Sequence, residues 1–158
     1  MIRKSFVILE RVQRKTERRF WQQGIRDWAD FQKRAEIKNV SSSRKQYYDR
    51  KIKEAQQALA ANESAFFKKV LAPRDVWRLY YYFSEECGFL DIETDSQGRI
   101  TLVGISNYYH TNTFVRGFNL EKKNLEAELQ RFKLLVTFNG ASFDLTKLKK
   151  QFGLTFTI

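Results

Sequence analysis

The chain has 158 residues, of which 42% are hydrophobic, and carries a formal net charge of +11 at pH 7. This length suits one ordinary hydrophobic core, or one domain with a helical extension, and the apolar fraction excludes a disordered protein. No apolar run approaches the roughly 20 residues that cross a bilayer, and the apolar stretch near the amino terminus is too short for a signal peptide. We therefore expect a cytoplasmic protein that does not contact membranes.

The charge is distributed unevenly along the chain. Residues 1–87 contain 20 Lys and Arg against 11 Asp and Glu, whereas residues 88–158 contain 9 against 7. A basic excess of this size favours nucleic acid as a partner, although a basic helix face is often only solvated surface. We accordingly divide the chain into a basic, all-helical region at 1–87 and a second domain at 88–158.

Helical patterns follow one another through the first region. Apolar spacing predicts a first helix in "SFVILERVQRKTERRFWQQG", ending at Gly24, and a short second helix around Trp28 and Phe31. A long helix capped by serine follows in "SSSRKQYYDRKIKEAQQALAANES", then a short one in "ESAFFKKVLA". A last helix begins at Pro73. Its run "WRLYYYF" could offer stacking platforms to bases, but large side chains on every face favour a core or interface role.

The second region changes to strand patterns. "GFLDIET", "RITLVGISNYY" and "TNTFVRGFN" predict a three-stranded antiparallel meander, with a tight turn at "DSQG". The helix "NLEKKNLEAELQRF", the strand "KLLVTF" and a helix capped by Ser142 and ended by Gly153 follow. The last strand should lie parallel to an earlier one, because a crossover helix precedes it. The fold class is therefore α+β, with a mixed sheet.

Two acids alternate with apolar residues in "FLDIET". On a strand, Asp91 and Glu93 project from one face, while Leu90 and Ile92 point into the core. Neighbouring carboxylates on an apolar strand repel each other and suit a hard divalent cation such as Mg²⁺ or Mn²⁺. The alternative is that both acids simply face solvent at an edge of the sheet. Asp95 is expected to stabilise the following turn.

A third acid follows the last strand, in "LLVTFNGASFDL". If this strand neighbours the first in parallel, Asp144 can approach Asp91 and supply another oxygen ligand. Gly140 lets the backbone turn tightly, and Asn139 could hydrogen-bond to substrate or to a ligating carboxylate. The alternatives are an acid that complements the helix dipole and an ordinary turn.

These two stretches, "FLDIETD" and "LLVTFNGASFDLTKLKKQFG", resemble the first two motifs of the DEDD exonucleases of the ribonuclease H-like superfamily, particularly those of the YprB type. The resemblance covers about residues 88–158. It implies a ribonuclease H-like sheet and hydrolysis of nucleic acid from the 3′ end with two Mg²⁺ or Mn²⁺ ions. By motif match, the metal ligands would be Asp91, Glu93 and Asp144, and the residues near the substrate would be Thr94, Asn139 and Phe143.

The third motif of that family is missing, since no acid follows Asp144. We therefore expect an incomplete, truncated ribonuclease H-like domain that holds metal weakly and is poorly active or inactive. Apolar surface around Leu134, Val136 and Phe156 should then be uncovered and favour self-association.

The amino-terminal stretch "FVILERVQRKTERRFWQQGIRDWADF" resembles, more weakly, helix-hairpin-helix segments that contact DNA phosphates. Arg11 and Gln13 replace the hairpin glycines, so a structural role that packs Trp21 and Trp28 is an equal alternative. The basic side chains could still bind phosphates as point charges: Arg11, Arg14, Lys15, Arg18 and Arg19.

Two functional hypotheses follow from the sequence. The first is a metal-dependent nuclease that acts on DNA or RNA, with 3′ to 5′ exonuclease polarity. The second is a non-catalytic module that binds nucleic acid or mediates assembly on a ribonuclease H-like scaffold.

Overall fold

The computed structural model describes residues 1–140 and 142–156. The chain forms two compact units, Met1–Tyr82 and Phe83–Ile158. The first unit is helical and the second holds a four-stranded mixed sheet with helices, so the α+β prediction is confirmed. Among the described residues, no helix is both long and apolar enough to cross a membrane.

The first unit contains four α-helices: α1 (Arg14–Gln22), α2 (Trp28–Lys33), α3 (Ser42–Ala60) and α4 (Ser64–Val70). The prediction placed the start of the first helix too early. Before Arg14 the chain makes successive tight turns, in which the amide of Val12 donates to the carbonyl of Leu9. Arg11 has a φ of 62°, in the left-handed region, and a right-handed helix cannot continue through such a residue.

The helix predicted from Pro73 is instead a 3₁₀ helix at Pro73–Leu79, and Ser84–Glu86 in the second unit forms another. A 3₁₀ helix has three residues per turn, so positions three apart share a face. Asp75 and Arg78 accordingly point inward, while Trp77 is 52% exposed. Tyr81 in the following turn is 75% exposed, so neither aromatic residue belongs to the core, and the alternative of an interface role stays a prediction.

An aromatic cluster and a buried ion-pair network hold the first unit together. Phe6, Phe20 and Phe31 pack with ring centroids 5.3–5.6 Å apart. Next to them, Arg78 donates to Glu17 Oε2 at 3.0 Å and to Asp75 Oδ1 at 3.2 Å, and all three side chains are buried. Charges this deep are tolerated because they are paired and hydrogen-bonded.

Besides the 3₁₀ helix at Ser84–Glu86, the described residues of the second unit form four strands and two α-helices: β1 (Cys87–Thr94), β2 (Ile100–Ser106), β3 (Thr111–Val115), α5 (Lys122–Leu129), β4 (Leu134–Thr137) and α6 (Asp144–Phe152). The sheet order is β3-β2-β1-β4. The first three strands form the predicted antiparallel meander, and β4 lies parallel to β1. The predicted parallel pairing is thus confirmed, as expected for a strand that follows a crossover helix.

The two faces of this sheet differ. One face carries Leu90, Ile92, Val103 and other buried residues, which form a single core with residues from both helices, including Leu125 and Leu148. The opposite face is open to solvent and displays every second residue of each strand. This alternation follows from the two-residue period of a strand.

The prediction that apolar surface around Leu134, Val136 and Phe156 is uncovered is wrong in part. Leu134 is buried at the start of β4, beside the buried Cys87 of β1, although it shares a face of the strand with Val136, two residues further along. Phe156 packs against the core of the second unit. Of the three residues, Val136 alone is exposed, and it lies on the open face of the sheet.

Candidate active site on the open face of the sheet

Strand β1 presents two carboxylates on its open face. Asp91 and Glu93 are exposed, whereas Leu90 and Ile92 between and beside them are buried, so the predicted alternation is confirmed. Strand β4 pairs only with residues 87–90 of β1. From Asp91 onward, β1 therefore extends past the end of its parallel neighbour, and this leaves room for the segment that follows β4.

That segment turns sharply before α6. Asn139 has a φ of 57°, and its side-chain oxygen accepts a hydrogen bond of 2.6 Å from the Ser142 hydroxyl. Ser142 is not the N-cap residue of α6, contrary to the prediction, because the helix begins at Asp144 and its N-cap residue is Phe143. A side chain at Gly140 would collide with Thr137, whose Cβ would lie 2.5 Å from the added atom. A glycine is therefore required for the turn to close.

Helix α6 is held against the sheet at its other contacts. Lys147 Nζ donates to the carbonyl of Gly98 at 2.9 Å, and the amide of Ile100 donates to Gln151 Oε1 at 3.0 Å. The helix ends at Gly153 with a φ of 64°, as predicted. These contacts fix the position of Asp144, the first residue of α6, beside the middle of β1.

Asp144 is the one buried acid of this site, with 2% of its surface exposed. Burial raises the pKa of its carboxyl, and the negative charge of Asp91 raises it further, while a hydrogen bond from the backbone of Ile92 acts in the opposite direction. Its Oδ2 atom is buried without a hydrogen-bond partner. The carboxylates of Asp144 and Asp91 are thus brought together, with one acceptor atom unsatisfied.

The arrangement fits a divalent cation in part. An unsatisfied carboxylate oxygen beside a second carboxylate is a suitable donor set for Mg²⁺, which proteins commonly bind through one or two carboxylates. Among residues 1–140 and 142–156, however, no three His, Cys, Asp or Glu side chains are grouped closely enough to hold a metal ion. Asp91, Glu93 and Asp144 therefore do not form such a group. Thr94, next along β1, is half-buried where the register with β2 shifts.

An open cavity of about 660 Å³ lies beside Asp91 on the same face. Its walls include Phe89, Val136 and Phe138, all exposed aromatic or aliphatic side chains. We did not predict a role for these residues from the sequence. The position of Phe89, two residues before Asp91 on a strand, was the signal that could have placed it on the same face. Phe143 is also exposed, with Lys147 Nζ 5.6 Å from its ring centre.

Asp95 has the turn role that the sequence predicted. Its Oδ1 accepts hydrogen bonds from the amides of Gln97 and Arg99, and its Oδ2 accepts one of 2.7 Å from the Arg99 side chain. The backbone hydrogen bond from Arg99 is the main reason that the pKa of Asp95 is lowered to about 2. This carboxylate is therefore committed to the turn between β1 and β2.

The predicted phosphate-contacting residues of the first unit lie before α1 and along it. Lys15, Arg18 and Arg19 are exposed on α1. Arg14 donates to Asp75 at 3.3 Å, and Arg11 is exposed beside Glu10 at 3.9 Å. Trp28 is buried and donates to the carbonyl of Ser5 at 2.6 Å, which confirms that it packs within this segment.

Comparison with known proteins agrees with the architecture of the second unit. Residues 88–157 match a family model described as the RNase_H superfamily. Over these residues the second unit is similar to the ribonuclease H superfamily. No curated protein and no solved structure matches the chain significantly. In this unit, Asp91 lies on the first strand and Asp144 at the start of the helix that follows the parallel strand.

Proposed function

We propose that the chain is a metal-dependent nuclease that hydrolyses phosphodiester bonds of DNA or RNA. The observation that carries the proposal is the buried carboxyl of Asp144, which lies next to Asp91 with its Oδ2 unsatisfied. An unpaired acceptor in this position is costly unless a cation is bound to it. The ribonuclease H-like fold of the second unit supports the same class of activity.

In this proposal each residue of the site has a distinct task. Asp91 and Asp144 hold Mg²⁺ or Mn²⁺, and Glu93 adds a further carboxylate when substrate and ions are bound. Two bound ions would activate water and stabilise the charge on the leaving oxygen. Thr94, Asn139 and Phe143 lie near the terminal nucleotide, as implied by the resemblance to the DEDD exonucleases. The 3′ to 5′ polarity depends on that resemblance.

The cavity beside Asp91 supports nucleic acid as the substrate. The exposed rings of Phe89 and Phe138 line it together with Val136. Stacking of a base on an aromatic side chain contributes about 1–3 kcal/mol and tolerates any base sequence. A base held there would place its sugar-phosphate backbone close to the Asp91 carboxylate.

The test is incubation of the chain with end-labelled single-stranded DNA and RNA in Mg²⁺ or Mn²⁺. We expect slow shortening from the 3′ end, in keeping with the poor activity expected of a domain without the third motif, and loss of that shortening in Asp91→Asn. Glu126→Gln serves as the matched control, because Glu126 is a half-exposed carboxylate of α5 that pairs with Lys122 at 3.6 Å. Unchanged substrate in every condition, or equal cleavage by Asp91→Asn, would refute the proposal.

The alternative function is a non-catalytic module that binds nucleic acid. It is favoured by the observation that, within the part of the chain that the structure describes, no group of three metal-binding side chains is assembled. Under this alternative, the chain would bind labelled strands equally well in EDTA and in Mn²⁺. It would leave them intact, and Asp91→Asn would bind as the unmodified chain does.

A further inference from the structure

The first unit has a basic pocket that the proposed active site does not use. It measures about 520 Å³ and lies between the segment before α1, the helices α3 and α4, and the turn that leads into Pro73. Five cationic side chains line it: Arg11, Arg14, Lys51, Lys69 and Arg74. Two acids, Glu10 and Asp75, are the carboxylates among its lining residues.

The pocket has a net positive charge that its own acids do not cancel. Asp75 is buried and accepts hydrogen bonds from Arg14, in the pocket, and from Arg78, which does not line it. Arg11 lies 3.9 Å from Glu10, and Arg74 lies 3.7 Å from Asp75. The side chains of Arg11 and Arg74 are nevertheless 74% and 71% exposed, so both guanidinium groups are accessible to a ligand. Like charges gathered from separate segments repel one another, and a bound anion relieves that repulsion.

The backbone at the pocket supports the same conclusion. Arg11 keeps a left-handed φ of 62°, which is unfavourable by about 1–2 kcal/mol for a residue with a side chain. Strain of this kind is concentrated at functional sites. Gln13, the N-cap residue of α1, makes no side-chain hydrogen bond to the helix, and both Gln13 and Arg14 line the pocket. The positive end of the helix dipole therefore adds to the charge of the cations.

We propose that this pocket binds consecutive phosphate groups of a nucleic acid strand. The volume lies in the range of sites that hold drug-sized molecules, which is larger than a single phosphate ion requires. Arginine and lysine are the usual partners of phosphate oxygens. The inference rests on the proposed function in taking nucleic acid as the ligand, and it deepens that function by assigning a second contact surface.

The set of residues differs from the one that the sequence suggested. Lys15, Arg18 and Arg19 do not line the pocket, although all three are exposed on α1. Lys51, Lys69 and Arg74 do line it, and they come from α3, α4 and the 3₁₀ helix at Pro73–Leu79. Two groups of three cations can therefore be compared directly.

The experiment measures binding of a fluorescein-labelled oligothymidylate by anisotropy in EDTA, over a series of NaCl concentrations. The triple variant Lys51→Gln, Lys69→Gln, Arg74→Gln should bind at least about tenfold more weakly at low salt. The slope of log K against log [salt] should fall by about 2, since each phosphate contact on a single strand contributes about 0.7. A matched triple, Lys33→Gln, Lys38→Gln, Lys53→Gln, removes the same charge from exposed residues outside the pocket.

The outcomes separate the inference from its alternatives. Equal losses in the pocket triple and the matched triple would show a diffuse charge effect and overturn it. A larger loss in Lys15→Gln, Arg18→Gln, Arg19→Gln than in the pocket triple would also overturn it. A third contrary result combines two measurements: inorganic phosphate shifts the amide resonances of Arg11 and Arg14, and the pocket triple binds the strand as tightly as the unmodified chain. That combination indicates that the pocket binds a small phosphate ligand and would overturn the inference.

Failure of the nuclease proposal would look different. Since binding is measured in EDTA, a chain that binds through the pocket but never shortens a strand retains this inference and loses the proposed activity. A chain that cleaves in Mn²⁺, and whose pocket triple binds normally, retains the activity and loses the inference. Melting temperatures of both triples should match the unmodified chain, because the substituted side chains lie at least partly in solvent.

Discussion

Replacing Asp144 with asparagine should stabilise the second unit at neutral pH while it abolishes metal binding. Asp144 is 2% exposed, and its Oδ2 has no hydrogen-bond partner. A buried acceptor left unsatisfied costs about 1–3 kcal/mol, and the nearby charge of Asp91 adds repulsion. The amide side chain of the Asp144→Asn variant would carry no charge, and its NH₂ group could donate to the Asp91 carboxylate nearby. We therefore expect the free energy of unfolding to rise by about 1–2 kcal/mol at pH 7.

The pH dependence of this gain follows from the raised pKa of Asp144. In the folded state the carboxyl stays protonated to a higher pH than in the unfolded chain, so the folded state binds more protons between the two pKa values. The stability of the unmodified chain consequently falls as pH rises through that interval. The pKa of an aspartate in the unfolded chain is about 4. At pH values below it, residue 144 is neutral in both proteins, and the two should be almost equally stable.

The assay must report on the second unit alone. All three tryptophans, Trp21, Trp28 and Trp77, lie in the first unit, so their fluorescence is unsuitable. Hydrogen exchange of amides in β1 and β2 measures the unfolding free energy of the second unit directly. Protection factors in Asp144→Asn should be larger by a factor of about 5–30 at pH 7. The control Glu126→Gln should leave them unchanged.

Addition of Mn²⁺ should make the unmodified chain more stable than Asp144→Asn. A ligand at 100 times its dissociation constant stabilises the folded state by about 2.7 kcal/mol, and that gain is expected for the unmodified chain but not for Asp144→Asn. Two results would refute the reasoning: a variant that is less stable at pH 7 without metal, or a stability difference that does not change between pH 4 and pH 7. Equal stabilisation of both proteins by Mn²⁺ would exclude Asp144 as a ligand.

Three further predictions concern the supports of the two units. Gly140→Ala should lower the stability of the second unit by about 1–3 kcal/mol, because the new methyl group collides with Thr137; hydrogen exchange of the sheet measures this. Arg78→Met should destabilise the first unit by about 3–5 kcal/mol in urea unfolding followed by tryptophan fluorescence, because it removes the buried cation that pairs with Glu17 and Asp75. Asp95 should titrate with a pKa of about 2 by carbonyl NMR, so that the turn it stabilises stays intact until pH falls below 4.

Each of these has a matched control or a contrary outcome. Gly140→Ala combined with Thr137→Ala should lose less than the sum of the two single losses, and simple additivity would argue against the collision. Arg18→Met, at an exposed position of α1, should change stability by no more than about 0.5 kcal/mol. A midpoint for Asp95 near the ordinary value of 3.8 would contradict the hydrogen bonds assigned to it.

Much of the second unit could be predicted from the sequence, because its signals are local or follow from connectivity. The alternation in "FLDIET" indicated which side chains face the core, and the crossover helix indicated a parallel last strand. The closeness of Asp144 to Asp91 followed from that strand order. The cap at Ser142 was predicted wrongly, because α6 begins one residue later than its pattern indicated, after a turn in which Ser142 donates to Asn139.

The first unit was less predictable, because some of its features depend on contacts that are not local in sequence. Its helical periods at α2, α3 and α4 are local and were recognised, but the late start of α1 depends on the left-handed backbone of Arg11, which its sequence does not favour. The pairing of Arg78 with Glu17 joins residues far apart in the chain. No local period carries that information.

The sequence by itself determined the division of charge, the α+β class and the identity of the acids on β1 and α6, because composition and periodicity are properties of short stretches. The tertiary structure alone decided which side chains lie close together. It placed Asp144 close to Asp91 without assembling Asp91, Glu93 and Asp144 into one metal-binding group. It also gathered Lys51, Lys69 and Arg74 around one pocket. The closeness of these side chains depends on how separate segments pack together, and the free energy of that packing is not encoded in any single segment.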